Sequence, residues 1–347
     1  MPIDDMILVF GGESGERRVS VASAQNMLQQ VGSCRCWFWN PEGLLFEITA
    51  QELLEHQNVF ESDFIPINSS PLGSLEEALS NVLQKDVLFL ALHGGTSEDG
   101  TLQEKLESRN IAFTGSGALA SGRAFDKSIA KEVAFGANLR VPRSIMARGD
   151  HLEDAEHRIR ELLRLVKQVV IKPVADGSSI GVHFVSDEPS LRKALAELEQ
   201  SPTSPYLVEE RIIGRELTVG VLEAPSGLRP LPCSEVLLNT GREFDFAGKY
   251  LGDGVQEITP ADIDEETATA AQEMASLMHE ALECSGYSRT DIMVDSDGVV
   301  FIETNTLPGL SSASFIPQQL EAANIETREF IIVQLNLART RRNLRTG

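Results

Sequence analysis

The chain is short of base. Its 30 lysines and arginines face 52 aspartates and glutamates, a net charge of −22. Phosphate backbones bind through clustered lysine and arginine, so nucleic acid is excluded as a natural partner. An anionic membrane surface is disfavoured on the same ground. The one local excess of base, Arg339, Arg341, Arg342 and Arg345, reads as the solvated tail of a final helix. Cysteine is scarce too. Cys34, Cys36, Cys233 and Cys284 form no C-x-x-C pair, and none stands near a histidine at ligand spacing. They read as structural thiols in a reducing compartment. No apolar run reaches the ~18 residues of a transmembrane helix. The opening Met1-Pro2-Ile3-Asp4-Asp5 is acidic where an export signal is basic. These absences together lead us to expect a cytoplasmic protein.

What is present is ordinary globular material. The hydrophobic fraction of 42% and charged fraction of 24% exclude a disordered chain and a collagen-like fibre. At ~150 residues per domain the length corresponds to about two or three domains.

Met6 to Phe10 is a short apolar run ending at Gly11-Gly12, and a helical stretch follows with Val21, Ala24, Met27 and Leu28 on one face. Cys36–Phe38, Val87–Leu92 and Ile111–Phe113 read as further strands, the last two ending at His93-Gly94-Gly95 and Thr114-Gly115-Ser116-Gly117. Strands alternating with helices predict a parallel, Rossmann-like α/β sheet over 1–117. Ligands gather at the carboxyl ends of such strands, so Glu16, His93 and Gly115 are expected to share a crevice. From residue 118 the order becomes α+β. Helices Ala118–Gly136 and Leu152–Lys167 precede strands Val169–Ile171, Gly181–Val185 and Tyr206–Val208, placing a second unit at 118–208. The third, 209–347, opens with strand Glu216–Leu222. It holds a helix Glu265–Leu282 that Gly286 can end, a hairpin Arg289–Asn305, and a closing helix from near Pro317.

The hairpin carries the first chemical signal. A three-residue loop, Ser296-Asp297-Gly298, puts glycine at the left-handed position and pairs Asp295 with Val299. Counting back by twos sets Asp291 opposite Glu303, and Asn305 shares a face with Glu303. Three oxygen donors then converge, which suits Mg²⁺ completed by water and phosphate. The competing reading is an acidic, solvated strand face. A second signal is Lys172 at a strand end, followed by the loop Asp176-Gly177-Ser178-Ser179-Ile180-Gly181. Loop N–H groups and hydroxyls donate to a phosphate while the ammonium neutralises it. The loop is not a P-loop, because a strand follows it, and an ordinary tight turn is the alternative. Gly115–Ala120 fits the loose dinucleotide fingerprint but has no acid ~20 residues on. His93–Gly100 and Lys249-Tyr250 are weak signals by themselves.

In combination these segments resemble the ATP-grasp ligases and, within them, the D-alanine–D-alanine ligases. The blocks Gly11–Ser20, His93–Gly100, Thr114–Gly117, Lys172–Gly181, Lys249-Tyr250, Arg289–Asp291 and Glu303–Leu310 run in that family's order over most of the chain. The resemblance implies an ATP-grasp fold of three α/β units with ATP between the second and third. It implies phosphate contacts from Lys127 and Lys172. Adenine would lie along Glu209, Glu210 and Ile212, and ribose on Glu216. Two Mg²⁺ (or Mn²⁺) would be held by Asp291, Glu303 and Asn305. Glu16 matches the residue holding the first D-alanine's ammonium, and Ser314 the one near the second carboxylate. Arg289 and the Gly309 N–H match the oxyanion site. His93, with Ser178 and Tyr250 on the two lids, completes the catalytic set. The implied activity is ATP-dependent ligation of two D-alanines through D-alanyl phosphate for peptidoglycan synthesis. The same chemistry with D-lactate, D-serine or another amino acid as acceptor is the alternative. The family also implies a homodimer and a K⁺ activator. The sequence departs from many relatives at Gly94-Gly95-Thr96-Ser97, where they carry a further glycine, and at Glu210-Arg211, where a lysine is usual.

Overall fold

The computed structural model describes residues 2–67, 69–175, 181–238 and 255–346. Three sheets organise them. The first has strand order β4-β3-β2-β1-β5-β6, from Met6–Gly11 (β1), Arg35–Trp39 (β2), Leu44–Ile48 (β3), Ser70–Ser74 (β4), Val87–Leu90 (β5) and Ala112–Phe113 (β6). Strands β2, β1, β5 and β6 are parallel, whereas β3 and β4 are antiparallel additions at one edge. The sheet is therefore mixed, not purely parallel. A short connection from β2 makes a hairpin with β3, and only the buried strands follow the crossover rule.

Both faces of β1 are buried, as its unbroken apolar run requires. Met6, Leu8 and Phe10 face one core, with the helix Arg17–Val31 and the helix Thr327–Thr346 packed there. Ile7 and Val9 face the other core, against Trp37, Leu88, Leu102 and Leu106. The chain leaves β1 for β2 on one side and later returns to β5 on the other. This makes a topological switch point, and a crevice opens at the carboxyl ends there. Gly11 has φ +96°, and a Cβ there would stand 2.2 Å from the Trp39 carbonyl oxygen, so only glycine fits. The Ser20 hydroxyl accepts from the Gly11 N–H at 2.7 Å and donates to the Ala91 carbonyl at 2.5 Å, tying both strand ends to the helix.

The second sheet, β7-β10-β8-β9, comprises Ser144–Arg148 (β7), Val169–Pro173 (β8), His183–Val185 (β9) and Pro205–Glu210 (β10), all antiparallel. Helices Leu152–Val166 and Glu188–Gln200 cover it through Ile159, Leu162, Leu191 and Leu198. The third sheet, β14-β13-β11-β15-β16 with β12 beside β11, is built from Arg215–Ala224 (β11), Gly227–Pro230 (β12), Ser234–Leu238 (β13), Val255–Ile258 (β14), Tyr287–Asp295 (β15) and Gly298–Asn305 (β16).

Four sequence expectations change. The stretch Ala118–Gly136 is two helices, Ala118–Phe125 and Lys127–Gly136. They break at Asp126, whose carboxylate caps the N–H groups of Ser128 and Ile129. Grouped by sequence with the second unit, they pack Ala124, Ala130 and Ala134 into the core of the third sheet. The helix from Glu265 ends at Ala281, and the first left-handed residue beyond it is Glu283, at φ +60°, with Gly286 at φ +76° only after it. The closing helical region is also two helices, Phe315–Ala322 and Thr327–Thr346. Finally, the C-terminal arginines are not a solvated tail. Arg341 donates to the Phe113 carbonyl at 2.7 Å and the Gly115 carbonyl at 2.5 Å, with its guanidinium 4.9 Å from the Phe113 ring centre. Arg339 pairs with Asp5 at 3.2 Å and Arg345 with Glu107 at 2.5 Å.

A buried histidine gives a measurable consequence. His279 is 2% exposed, and its Nδ1 meets the Ser288 hydroxyl at 2.7 Å. Burial pushes its pKa down to about 4, against 6.5 for a free imidazole. The unfolded chain therefore takes up a proton first as pH falls. Stability should be full above pH ~6.5 and drop by on the order of 2–3 kcal/mol between there and pH ~4. Urea unfolding across that range is expected to show the decline, and His279→Gln to flatten it. An unchanged slope in the variant would assign the acid sensitivity elsewhere.

Candidate active site

The hairpin β15–β16 forms one wall of the site, by a different register from the one expected. Asp295 pairs with Gly298 across a two-residue turn, and Val294 pairs with Val299. That register alone would set Asp291 opposite Ile302. A β-bulge opposite the Asp291–Ile292 step leaves Ile302 as the extra residue and brings Asp291 opposite Glu303, with Arg289 opposite Asn305. Arg289 grips Asp291 with two N–H groups, at 2.9 Å to Oδ1 and 2.8 Å to Oδ2. Thr218 on β11 donates to the same Oδ1 at 2.6 Å. Asn305 accepts from the Leu307 N–H at 2.8 Å.

These donors fit a hard cation. A carboxylate offers about four lone-pair sites, and three are taken on Asp291, so a single further contact remains at Oδ2. No group of three His, Cys, Asp or Glu side chains stands at metal-binding spacing among the described residues. The available set is two carboxylates and an amide, which suits a cation that keeps water and phosphate oxygens.

A buried charge array stands behind this wall. On the second sheet Lys172 pairs with Leu207 and Glu209 with Val170, so Lys172 and Glu209 are diagonal neighbours on one face. Lys172 Nζ lies 2.5 Å from Glu209 Oε1, and Lys131 Nζ lies 2.8 Å from Oε2. Exposures of 7%, 4% and 4% for Lys172, Lys131 and Glu209 put all three out of water. Burial opposes the charge on Glu209, yet the two ammonium groups outweigh it and hold the carboxyl below its ordinary range. Burial also opposes the charge on Lys172, but Glu209 and Glu303 keep its pKa above the usual lysine value. For Lys131 burial dominates, and its pKa is lowered. Lys127 lies one turn before Lys131 on the same helix, 3.9 Å from Glu303. Its backbone N–H donates to the Val174 carbonyl at 3.1 Å, tying the helix start to the end of β8.

The opposite wall comes from the first sheet. Glu16 sits at the start of the helix Arg17–Val31, just past β1. A Cβ on Gly94, at φ +73°, would lie 2.5 Å from the Glu16 carboxylate. The left-handed φ, more than this contact with a side-chain tip, explains the glycine after His93. His93 is buried, with Nδ1 3.0 Å from the Leu307 carbonyl and Nε2 3.1 Å from the Ser23 hydroxyl. Ser23 also accepts from the Leu310 N–H at 3.1 Å. This network assigns the His93 proton to Nδ1. His93 is thus a strut between the first sheet and the Thr306–Leu310 turn. At Gly309 a Cβ would lie 2.6 Å from the Ser314 hydroxyl, which itself meets Ser311 Oγ at 2.8 Å.

A cleft with about 1210 Å³ of empty space joins these walls. Its lining includes Glu16, His93, Lys127, Glu216, Arg289, Asp291, Glu303, Asn305, Gly309 and Ser314. Of the other residues singled out by sequence, Lys172 and Glu209 lie buried in the charge array, and Glu210 and Ile212 do not line the cleft. Ser178, Lys249 and Tyr250 lie outside the described residues. Sequence reasoning missed Lys131, Thr218, Phe60 and Glu257. For Lys131 the signal was available: it stands four residues after Lys127 and so shares its helix face. Glu257 also lines the cleft. Burial raises its carboxyl above the ordinary range, and Gln318 donates to it at 2.8 Å.

Residues 5–116 match the family model described as D-ala D-ala ligase N-terminus, and residues 138–335 match D-ala D-ala ligase C-terminus. A D-alanine–D-alanine ligase of Mycobacterium tuberculosis is 33% identical over 368 residues, spanning 96% of this chain and 95% of that protein. One from Leptospira interrogans is 37% identical over 265 residues, 74% of this chain and 75% of the relative. Among solved structures, the VanG D-Ala:D-Ser ligase from Enterococcus faecalis superposes with a TM-score of 0.81 at 28% identity, covering 96% of this chain and 99% of that one.

The hairpin geometry makes a specific demand. Glu303→Gln keeps the shape and one acceptor oxygen but removes a charge from a partly exposed carboxylate. Folding stability should change by no more than about 0.5 kcal/mol. Mn²⁺ binding in the presence of ADP should weaken at least ~10-fold, on the scale of losing a charged donor. Paramagnetic resonance of free Mn²⁺ measures this, and wild-type affinity in the variant would return the hairpin to an acidic surface.

Proposed function

The chain belongs to the D-alanine–D-alanine ligase family, and from that premise we propose that it joins two D-alanines at the expense of ATP, for peptidoglycan synthesis. The observation carrying this reading is the single cleft lined by Glu16, Lys127, Arg289, Asp291, Glu303, Asn305, Gly309 and Ser314. Those residues supply a cation for an oxyanion, oxygen donors for a metal, and a carboxylate for an ammonium, all within reach of one substrate pair.

The roles follow from charge. Glu16 holds the ammonium of the first D-alanine and turns its carboxylate toward the nucleotide. Glu216, on the cleft lining, receives ribose, and adenine is assigned to a position beyond that lining, along Glu209 and the backbone of Glu210 to Ile212. Lys127 and Lys172 offset charge on the phosphates during transfer. Asp291, Glu303 and Asn305 would hold two Mg²⁺ (or Mn²⁺), which supply further neutralisation of the phosphates when bound. The first D-alanine carboxylate takes the γ-phosphoryl group, giving D-alanyl phosphate and ADP. The second D-alanine, seated by Ser314, loses one ammonium proton to solvent before closure, attacks the acyl carbon with the freed electron pair, and passes a second proton from its nitrogen to the departing phosphate. The oxyanion that forms faces Arg289 and the Gly309 N–H. Its collapse breaks the bond to phosphate and leaves the dipeptide. Arg289 is fixed for this task by its bidentate grip on Asp291, and His93 fixes the turn that carries Gly309. Ser178 and Tyr250 are assigned to lids that exclude water from the acyl phosphate.

We take 1–117 as the unit presenting the first substrate, 118–208 as the nucleotide-covering unit and 209–347 as the catalytic unit. The reading extends to a K⁺ activator, a homodimer and a cytoplasmic location. No described helix is long and apolar enough to cross a membrane.

D-Serine is the competing acceptor, because the VanG structure bears the name of a D-Ala:D-Ser ligase. Phosphate release from ATP with D-alanine, D-serine and D-lactate decides. D-alanine alone should support turnover, with D-alanyl-D-alanine as the product. Faster turnover when D-serine or D-lactate is added to D-alanine would reassign the acceptor, and no D-alanine-dependent phosphate release would overturn the reading.

A further inference from the structure

Lys172 presents a difficulty that the proposed function leaves open. Its ammonium is needed by a phosphate, yet it lies 2.5 Å from Glu209. Breaking a buried ion pair by removing one partner leaves an uncompensated charge, which is strongly unfavourable. A closed Lys–Glu pair would therefore resist giving up its lysine to a ligand.

The structure supplies the remedy in Lys131. Its Nζ is already 2.8 Å from the second carboxylate oxygen of Glu209. These three buried groups are two ammoniums and one carboxylate, a surplus of one positive charge among themselves, offset from outside the array by the partly exposed Glu303. An entering anion completes neutrality. Lys172 can turn to it while Glu209 stays paired with Lys131.

The placement of Lys131 suits this role. It comes from the helix Lys127–Gly136, whereas Lys172 and Glu209 come from β8 and β10. The helix is anchored apart from that sheet, through Ala130 and Ala134 in the core of the third sheet. Lys131 therefore has a fixed base from which to hold Glu209 when Lys172 moves.

We propose that Lys131 is a positioning residue that takes over Glu209 when a nucleotide phosphate draws Lys172 away, and so sets the protein's affinity for the phosphate part of the nucleotide. This rests on the nucleotide reading above. It goes beyond that reading by giving a role to a lysine that need not touch the ligand.

The test compares ligands with and without phosphate. Equilibrium binding of MgATP and of adenosine is measured for wild type, Lys131→Met and Lys131→Arg, with the melting temperature of each free protein. In Lys131→Met the Kd for MgATP should rise at least ~10-fold, the size of a lost charge-assisted contact, while the Kd for adenosine stays within about twofold, inside the range of an unaffected site. Lys131→Arg keeps the charge beside Glu209 and should hold both constants within about threefold. In a Lys172→Met background the Lys131→Met change should cost less than about twofold in MgATP affinity, because the two act as one unit. Lys131→Gln replaces Lys131→Met should the latter not fold. Equal weakening of MgATP and adenosine would make Lys131 a structural residue. An undiminished cost in the Lys172→Met background would make it an independent phosphate contact. Either overturns the inference. Wild type that binds no MgATP overturns the functional reading as well; wild type that binds, with variants failing as described, overturns this inference alone.

Discussion

An acidic protein that receives a polyanion must solve its own electrostatics first. Here the excess is 22 negative charges, and exposed bases would be screened and drawn to neighbouring acids. The structure concentrates its effect in a few cations fixed on regular elements. Lys127 and Lys131 stand one turn apart on a helix, Lys172 stands on a strand, and Arg289 is gripped by the aspartate two residues on. The same acids that make the chain globally repulsive act locally as partners that hold these cations in place. Buried charge of this kind is costly in isolation and tolerable only when balanced, so the elements carrying Lys131, Lys172 and Glu209 must assemble together.

Much of this was legible in the residue order. β1 was visible as an apolar run, the Glu16 loop as glycines past a strand, and the convergence of Asp291 and Glu303 as period-two counting along a hairpin. The counting reached the right pair through the wrong turn. A two-residue turn and a bulge at Ile302 replaced the three-residue loop, and their offsets cancelled. A bulge leaves no composition signal here, since Ile302 is as good a strand residue as its neighbours. The break at Asp126 was readable as a capping residue inside a helical stretch. It is hidden only if the stretch is read for periodicity alone.

What the order of residues could not convey was partnership across long separations. Lys131 reads as a helix-surface lysine until β8 and β10 bring Glu209 beside it. His93 reads as a lone histidine until Ser23 and Leu307 take its two nitrogens. The C-terminal arginines look like a charged tail because their acceptors lie far off in the chain: backbone carbonyls for Arg341, which no sequence marks, and the carboxylates of Asp5 and Glu107 for Arg339 and Arg345. Glu257 is similar: its burial comes from the packing of separate segments, not from neighbours in sequence.

The docking of the helix Thr327–Thr346 bears on how the chain is made. Phe330, Ile331 and Leu335 complete the core on one face of the first sheet, and Arg341 closes on Phe113, 228 residues earlier. A ribosome delivers β1 to β6 long before it delivers that helix. Until it emerges, the helix Arg17–Val31 covers only part of that face, and the ground the last helix will take stays bare. A premature stop near residue 320 would therefore damage the oldest part of the chain, although every residue of that part had been translated.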